Sequence, residues 1–377
     1  MAPFKLVHLI NFSRKLTINS VFFLVPLYFL RLGYTGWKIG VITSLYAFAP
    51  LLFSFPTGWL NDRLSVKEII HAALALLSGL FFLMSRVHEF LPMAIIFLFL
   101  GLANNALDIS INSLYYKDET DIDQNKKYSR LVFWASLGSA AGPFLGGIVI
   151  TSWSFPTLFL LFSVFLLLLQ AFVRPLPQVR FGAVPLKVYK KNLLNKKTAL
   201  FSVMIFVVGL HWGVEGTVYS PFLKRYFNLS TFDLSLYISL SLLALGLSSF
   251  LVGFVKHDVQ VNKRLFLVSM LLSGGGLILM VNPSLSLSFF FRVIHEAGDG
   301  FLGALVVLFI SRLFERDSIG GSSAILLAVM TLGHMIGAIF FSSLGFRFGL
   351  VYPFLVAGLL LVANSVFGLY CFRTIDY

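Results

Sequence analysis

The run Phe155-Pro156-Thr157-Leu158-Phe159-Leu160-Leu161-Phe162-Ser163-Val164-Phe165-Leu166-Leu167-Leu168-Leu169-Gln170-Ala171-Phe172-Val173 decides the class of this protein. It holds no charge, and a helix of that length at 1.5 Å per residue crosses roughly 30 Å of hydrocarbon. Arg174 ends it. The stretch 174–198 that follows carries Pro175, Pro177, Gly182 and Pro185 and no apolar run. Working outward, apolar runs and short polar breaks alternate in both directions. The pattern predicts spans near 9–30, 38–60, 67–85, 92–116, 129–151 and 155–173, then 199–222, 232–255, 265–282, 286–312, 321–345 and 349–371. The expected fold is all-α and integral to a membrane, with twelve transmembrane helices. The expected organisation is a six-helix bundle over 1–173, a cytoplasmic linker over 174–198 and a second six-helix bundle over 199–377.

Composition agrees. Of the 377 residues 58% are hydrophobic and 12% charged, too few charges to clothe a soluble surface. With a cytoplasmic N-terminus, the outside segments hold only Arg31, Lys38, Arg86, Lys224, Arg225 and Arg347, and all other Lys and Arg except Arg292 fall inside. That bias places both termini in the cytoplasm, in a cell membrane taken as a bacterial inner membrane. The net charge of +13 then marks a face beside anionic lipid and requires no nucleic acid. No small-residue cleavage site follows the first span, so it is not read as a signal peptide. Cys371 is alone and forms no intramolecular disulfide.

The two halves repeat. Pro26 and Pro221, Gly58 and Gly253, Gly138 and Gly333, and Gly142 and Gly337 are each 195 positions apart, at matching places in their spans. After each proline, Leu32-Gly33-Tyr34-Thr35 matches Phe227-Asn228-Leu229-Ser230 in character. Six spans return the chain to its starting side, so the repeats are parallel, an arrangement suited to a site between the halves.

Two motifs stand out. After span two the chain reads Gly58-Trp59-Leu60-Asn61-Asp62-Arg63-Leu64-Ser65-Val66-Lys67. Gly58 is expected to permit close helix approach, and Asp62 with Arg63 to form a charged latch at the cytoplasmic surface, beside Lys67. The corresponding positions of the second half are His257 and Asp258. Span five carries Gly138-Ser139-Ala140-Ala141-Gly142-Pro143-Phe144-Leu145-Gly146-Gly147. Its small residues are expected to pack across the interface between halves, with Pro143 permitting a bend.

The first run resembles the signature loop of the major facilitator superfamily, Gly-x-Leu-x-Asp-Arg followed by basic residues. Ser65 replaces the usual second glycine and Val66 one basic residue. The second run is similar to the Gly-x-x-x-Gly-Pro-x-x-Gly-Gly motif of that superfamily, most often seen in proton-coupled drug antiporters, although close helix packing alone accounts for it equally well. The resemblance implies a secondary transporter whose central cavity is lined by spans one, four, seven and ten. Many of those antiporters use an acidic residue in span one; here the first acidic residue is Asp62.

A charge at the bilayer centre costs about 2.5–3.5 kcal/mol, so each one needs a reason. Span four holds Asn105, Asp108 and Asn112 at i, i+3 and i+7. Span seven holds His211 and Glu215 at i and i+4. Span ten holds Arg292, His295, Glu296 and Asp299 on one stripe. These nine residues are the candidate substrate and proton cavity, with Glu215 expected near Arg292 or His295. Arg14 and Lys15 are read as snorkelling, and His334 as a buried polar group satisfied by packing.

The leading expectation is secondary active transport of a small organic solute by alternating access, coupled to protons through Glu215, Glu296 and Asp299, in a monomer with no cofactor and no metal. A proton-independent facilitator, a flippase of a lipid-like substrate, and a channel or scaffold are the alternatives. Efflux of amphipathic compounds and uptake of a metabolite both stay open. The chain lacks His-Glu-x-x-His, Gly-x-Ser-x-Gly and a Walker-type loop, and the pair His295-Glu296 lacks further ligands at metal spacing, so it does not read as an enzyme.

Overall fold

The computed structural model describes residues 2–116, 124–176, 195–255, 258–314 and 319–374. Every regular element among them is helical: α1 Ala2–Arg31, α2 Gly36–Arg63, α3 Val66–Met84, α4 Phe90–Tyr116, α5 Gln124–Ser152, α6 Phe155–Leu169, α7 Lys196–Glu215, α8 Tyr219–Tyr226, α9 Thr231–Leu251, α10 Val259–Leu279, α11 Leu285–Leu313, α12 Ile319–Phe348 and α13 Tyr352–Thr374. Short 3₁₀ turns extend α6 and α9. Eleven helices among the described residues are long and apolar enough to cross a membrane. The twelfth span is α1, as long as any of them but diluted by Asn11, Arg14, Lys15 and Asn19.

Helix pairing repeats between the halves. α1 packs on α5 as α7 packs on α12; α2 on α4 as α9 on α11; α3 on α6 as α10 on α13. The halves meet through α5 against α9 and through α2 against α12, a pair of contacts that the repeat exchanges. The turns repeat too. Gly33 (φ +76°) and Asn228 (φ +52°) both take left-handed backbone, Asn228 being the one described non-glycine residue to do so. Two residues on, Thr35 and Ser230 each cap the next helix, accepting from the amides of Lys38 and Asp233.

The span-five motif corrects one expectation. A Cβ on Gly138 would collide with the Phe12 carbonyl, one on Gly142 with the Leu16 carbonyl, and one on Gly146 with Ser20 Oγ. All three partners are on α1, within the same half. Residues at i, i+4 and i+8 share one helix face, and that face is turned to α1. Only Gly147, rotated one position on, meets the second half, at Ser235 of α9. Gly333 and Gly337 repeat the arrangement against the carbonyls of Phe206 and Leu210 on α7.

Nothing among the described residues lies within 4 Å of a Cβ built on Gly58, so the close approach expected there is not found, whereas Gly253 meets Ser129 of α5. The side chains of Asp62 and Arg63 lie outside the described residues, and so do His257 and 177–194 of the connection. Lys67 donates to the Arg174 carbonyl. Asp258 caps α10, accepting from the amides of Gln260 and Val261.

Span seven is not continuous, contrary to expectation. α7 stops at Glu215 and the chain restarts as α8 at Tyr219. Pro221 has no amide hydrogen to donate to the Thr217 carbonyl, and Thr217 Oγ1 separately donates to the Gly213 carbonyl at 2.6 Å. Pro26 and Pro221 each lie five residues before the end of their helix, at Arg31 and Tyr226.

Candidate functional site

The break in span seven positions the first charged group. Glu215 ends α7, buried, and faces the stripe of α11. Arg292 Nη2 lies 2.5 Å from Glu215 Oε1 and 2.5 Å from Glu296 Oε1, so one nitrogen joins two carboxylates. The guanidinium also stacks 4.1 Å from the centroid of Tyr219, the first residue of α8. Arg292 Nε and Nη1 have no hydrogen-bond partner among the described residues. Both expected partners of Glu215 are present, because His295 Nε2 lies 3.1 Å from the same Oε1.

His295 defines a proton. Its Nδ1 sits 2.9 Å from the carbonyl of Ser273, which can only accept, and 3.0 Å from Ser273 Oγ, whose own hydrogen is directed to Asp299 Oδ1 at 2.6 Å, so the arrangement assigns a hydrogen to Nδ1. Nε2 then faces a carboxylate oxygen. Without a further proton two lone pairs would oppose each other; the contact requires one on Nε2 or on Glu215. Asp299 completes the cluster: Oδ2 accepts from His211 Nε2 at 2.9 Å and Oδ1 from Ser273 Oγ at 2.6 Å. Trp212 Nε1 adds a longer contact of 3.4 Å. His211, Arg292 and His295 are fully buried.

A second cluster joins α1 and α4. Arg14 pairs with Asp108, and its guanidinium also donates to Asn104 at 2.5 Å and Asn11 at 2.8 Å. It is 1% exposed, so the expected snorkelling is replaced by buried pairing. Asn104 continues to Tyr46 Oη at 2.8 Å. Of the other span-four candidates, Asn105 accepts from Ser54 Oγ at 3.2 Å. Asn112, one turn past Asp108, has no hydrogen-bond partner among the described residues. His334 packs edge-on against Phe22 of α1 at 5.7 Å, and its Nε2 is likewise unpartnered.

The whole chain now carries a family assignment. A profile of the Major Facilitator Superfamily matches residues 7–196 and 201–376. The chain belongs to the Major Facilitator Superfamily. No curated protein matches its sequence. Among solved members of similar fold, the human organic anion transporter MFSD10 (TETRAN) is 15% identical with a TM-score of 0.76, over 97% of this chain and 99% of that one. The nucleoside transporter NupG is 14% identical, TM-score 0.75, over 99% and 100%. A bacterial homologue of the human lysosomal transporter Spinster, inward-facing and occupied, is 14% identical, TM-score 0.79, over 98% and 96%. At these identities the likeness is one of fold.

Within this superfamily member, sequence reasoning missed several groups that complete the two clusters. Ser273 from α10 bridges His295 and Asp299, and nothing in its local sequence separates it from other helical serines. Asn11, Tyr46 and Asn104 likewise carry no local signal of their role. His211, His295 and Asp299 bring ligand atoms within 4.8 Å of one another, a spacing that can hold a divalent cation. This corrects the expectation that His295 lacks partners at metal spacing. The partners come from α7 and a turn further along α11, not from Glu296. The same atoms already bond one another, and Arg292 occupies the neighbouring carboxylate, so the set is self-satisfied as an ion-pair network.

Proposed function

We propose that this protein is a secondary active transporter of a small organic solute, working by alternating access and coupled to protons through the buried cluster on α7 and α11. The observation that carries the reading is the single proton required between His295 Nε2 and Glu215 Oε1, on a carboxylate that also holds Arg292. Moving that proton changes which partner Arg292 can keep, and the change falls at the break between α7 and α8. Discontinuous membrane helices are where transporters of several folds place their sites.

The bundles 1–173 and 199–377 are the two moving bodies in this reading, joined by 174–198, with both termini in the cytoplasm. Contacts on the side of the 32–35 turn favour closure there. Ser220 of α8 donates to the Phe23 carbonyl, Ser342 Oγ to the Gly36 carbonyl at 2.5 Å, and Ser44 Oγ to the Met335 carbonyl at 2.9 Å. Asp108, by contrast, keeps 37% of its side chain exposed. The fold's solved relatives include transporters of organic anions and of nucleosides, in keeping with a soluble organic substrate.

Purified protein in proteoliposomes loaded with a pH-sensitive dye tests this. A solute library should contain compounds that drive proton flux dependent on the protein, with saturation. Saturable uptake that ignores an imposed pH gradient would leave a facilitator. Non-saturable flux would leave a channel.

A further inference from the structure

We propose that the wall built by α1 and α4 binds an amphipathic organic anion, with Lys15 as the cationic partner of its charged group. The proposal rests on the transport reading above and names the substrate class for it.

The first argument is charge. Arg14 is matched by Asp108 and saturated further by Asn104 and Asn11. Lys15, the next residue, has no hydrogen bond or ion pair among the described residues and is partly exposed. The α1–α4 cluster therefore carries one surplus positive charge inside the membrane-spanning region, where a lone cation is costly. The buried cluster on α7 and α11 differs: its carboxylates are at most 8% exposed and already face Arg292, His211 and His295. The face of the α1–α4 cluster open to a solute carries Lys15 together with the exposed part of Asp108, whose charge Arg14 already matches, and this leaves the cation in excess.

The second argument is pattern. On α1, Lys15, Ile18, Phe22 and Val25 follow one another at i, i+3, i+7 and i+10. On the antiparallel α4, Phe97, Leu100, Asn104 and Asp108 do so at i, i+3, i+7 and i+11. Both stripes run from polar to apolar in the same direction across the membrane. Their apolar ends line one cavity, together with Tyr46 and Gly216. Tyr46 belongs to both zones, since its hydroxyl takes the amide of Asn104 while its ring faces the cavity. Lys15 and Phe22 are seven residues apart, about 10 Å along the helix. An anionic head followed by an apolar body matches the order of those surfaces. A cationic head would meet two cations and one carboxylate, and a neutral head would leave Lys15 unpaired.

A matched series tests the head group: 4-phenylbutyrate, 4-phenylbutylamine and 4-phenylbutanol, scored by the shift they cause in the unfolding temperature of the purified protein in neutral detergent. The carboxylate should stabilise most. Lys15→Gln should weaken it roughly tenfold or more, the worth of one charge-assisted contact, while Lys15→Arg keeps most of the effect. Unliganded unfolding temperatures of both variants verify that they fold. 1-Oleoyl-lysophosphatidylglycerol as a further ligand separates a lipid source of the anion from a free organic acid; whichever anion binds tighter and depends on Lys15 supports the site. If the amine or alcohol stabilises as much as the carboxylate, or Lys15→Gln binds the anions as well as the parent, the anion assignment is overturned. Solute-driven proton flux, measured separately, would then still stand for the transport reading.

Discussion

Arg292 Nη2 and Glu215 Oε1, 2.5 Å apart, tie α11 to the last residue of α7 at the point where span seven breaks. The pair is buried, and Glu296 shares the same nitrogen. Two carboxylates on one guanidinium nitrogen make a junction that a single proton can redistribute.

Glu215→Gln keeps a hydrogen-bonding side chain but removes the site that shares a proton with His295. Binding of solute and counterflow exchange at equal pH should survive, and accumulation driven by a pH gradient should be lost. Uptake into proteoliposomes with and without the gradient measures both. Intact gradient-driven accumulation would leave Glu215 with a structural role only.

Arg292→Met should be severely destabilising. It leaves Glu215 and Glu296 buried without their cation, and removing one partner of a buried pair costs about 3–5 kcal/mol. The combined change Arg292→Met with Glu215→Gln and Glu296→Gln should recover much of that loss, because no uncompensated charge remains. Thermal unfolding in detergent decides it; a triple variant no more stable than the single one would contradict the ion-pair account.

Gly142→Leu and Gly147→Leu should separate stability from cycling. Gly142 faces the Leu16 carbonyl within its own half, so overpacking there should cost about 1–3 kcal/mol or more and lower the unfolding temperature. Gly147 faces Ser235 across the halves, so its substitution should slow turnover more than it lowers stability. Equal effects of both substitutions on both readouts would refute the assignment of the two faces.

The paired turns predict opposite outcomes. Gly33→Ala places a Cβ on left-handed backbone and should destabilise by about 1–2 kcal/mol. Asn228→Gly relieves the same backbone and should be neutral or slightly stabilising. Unfolding temperatures of the two variants provide the comparison.

Much of the architecture was legible because hydrocarbon imposes a simple rule. Each span must be apolar over about 20 residues and satisfy its backbone internally, so composition and run length alone locate the helices. The repeat was legible because its markers are backbone requirements. Gly33 and Asn228 both supply a left-handed residue, Thr35 and Ser230 both supply a cap, and Gly142 and Gly337 both clear a neighbouring carbonyl. The α11 stripe was legible because four ionisable residues at helical spacing must share a face.

What the sequence by itself determined is therefore the helical membrane class, the twofold repeat of six spans and the faces that carry charge. Tertiary structure decided the partners. Periodicity fixes the direction of a side chain around its own helix but not which neighbour lies opposite. That is why Gly142 turned to α1 rather than to the other half, and why Arg14 met Asp108 instead of the membrane surface. It also decided the break after Glu215, where Pro221 withholds an amide and Thr217 bonds back to Gly213. Serines and asparagines such as Ser273 and Asn104 carry no periodic signal, and only the packing of helices distant in sequence gives them something to hold.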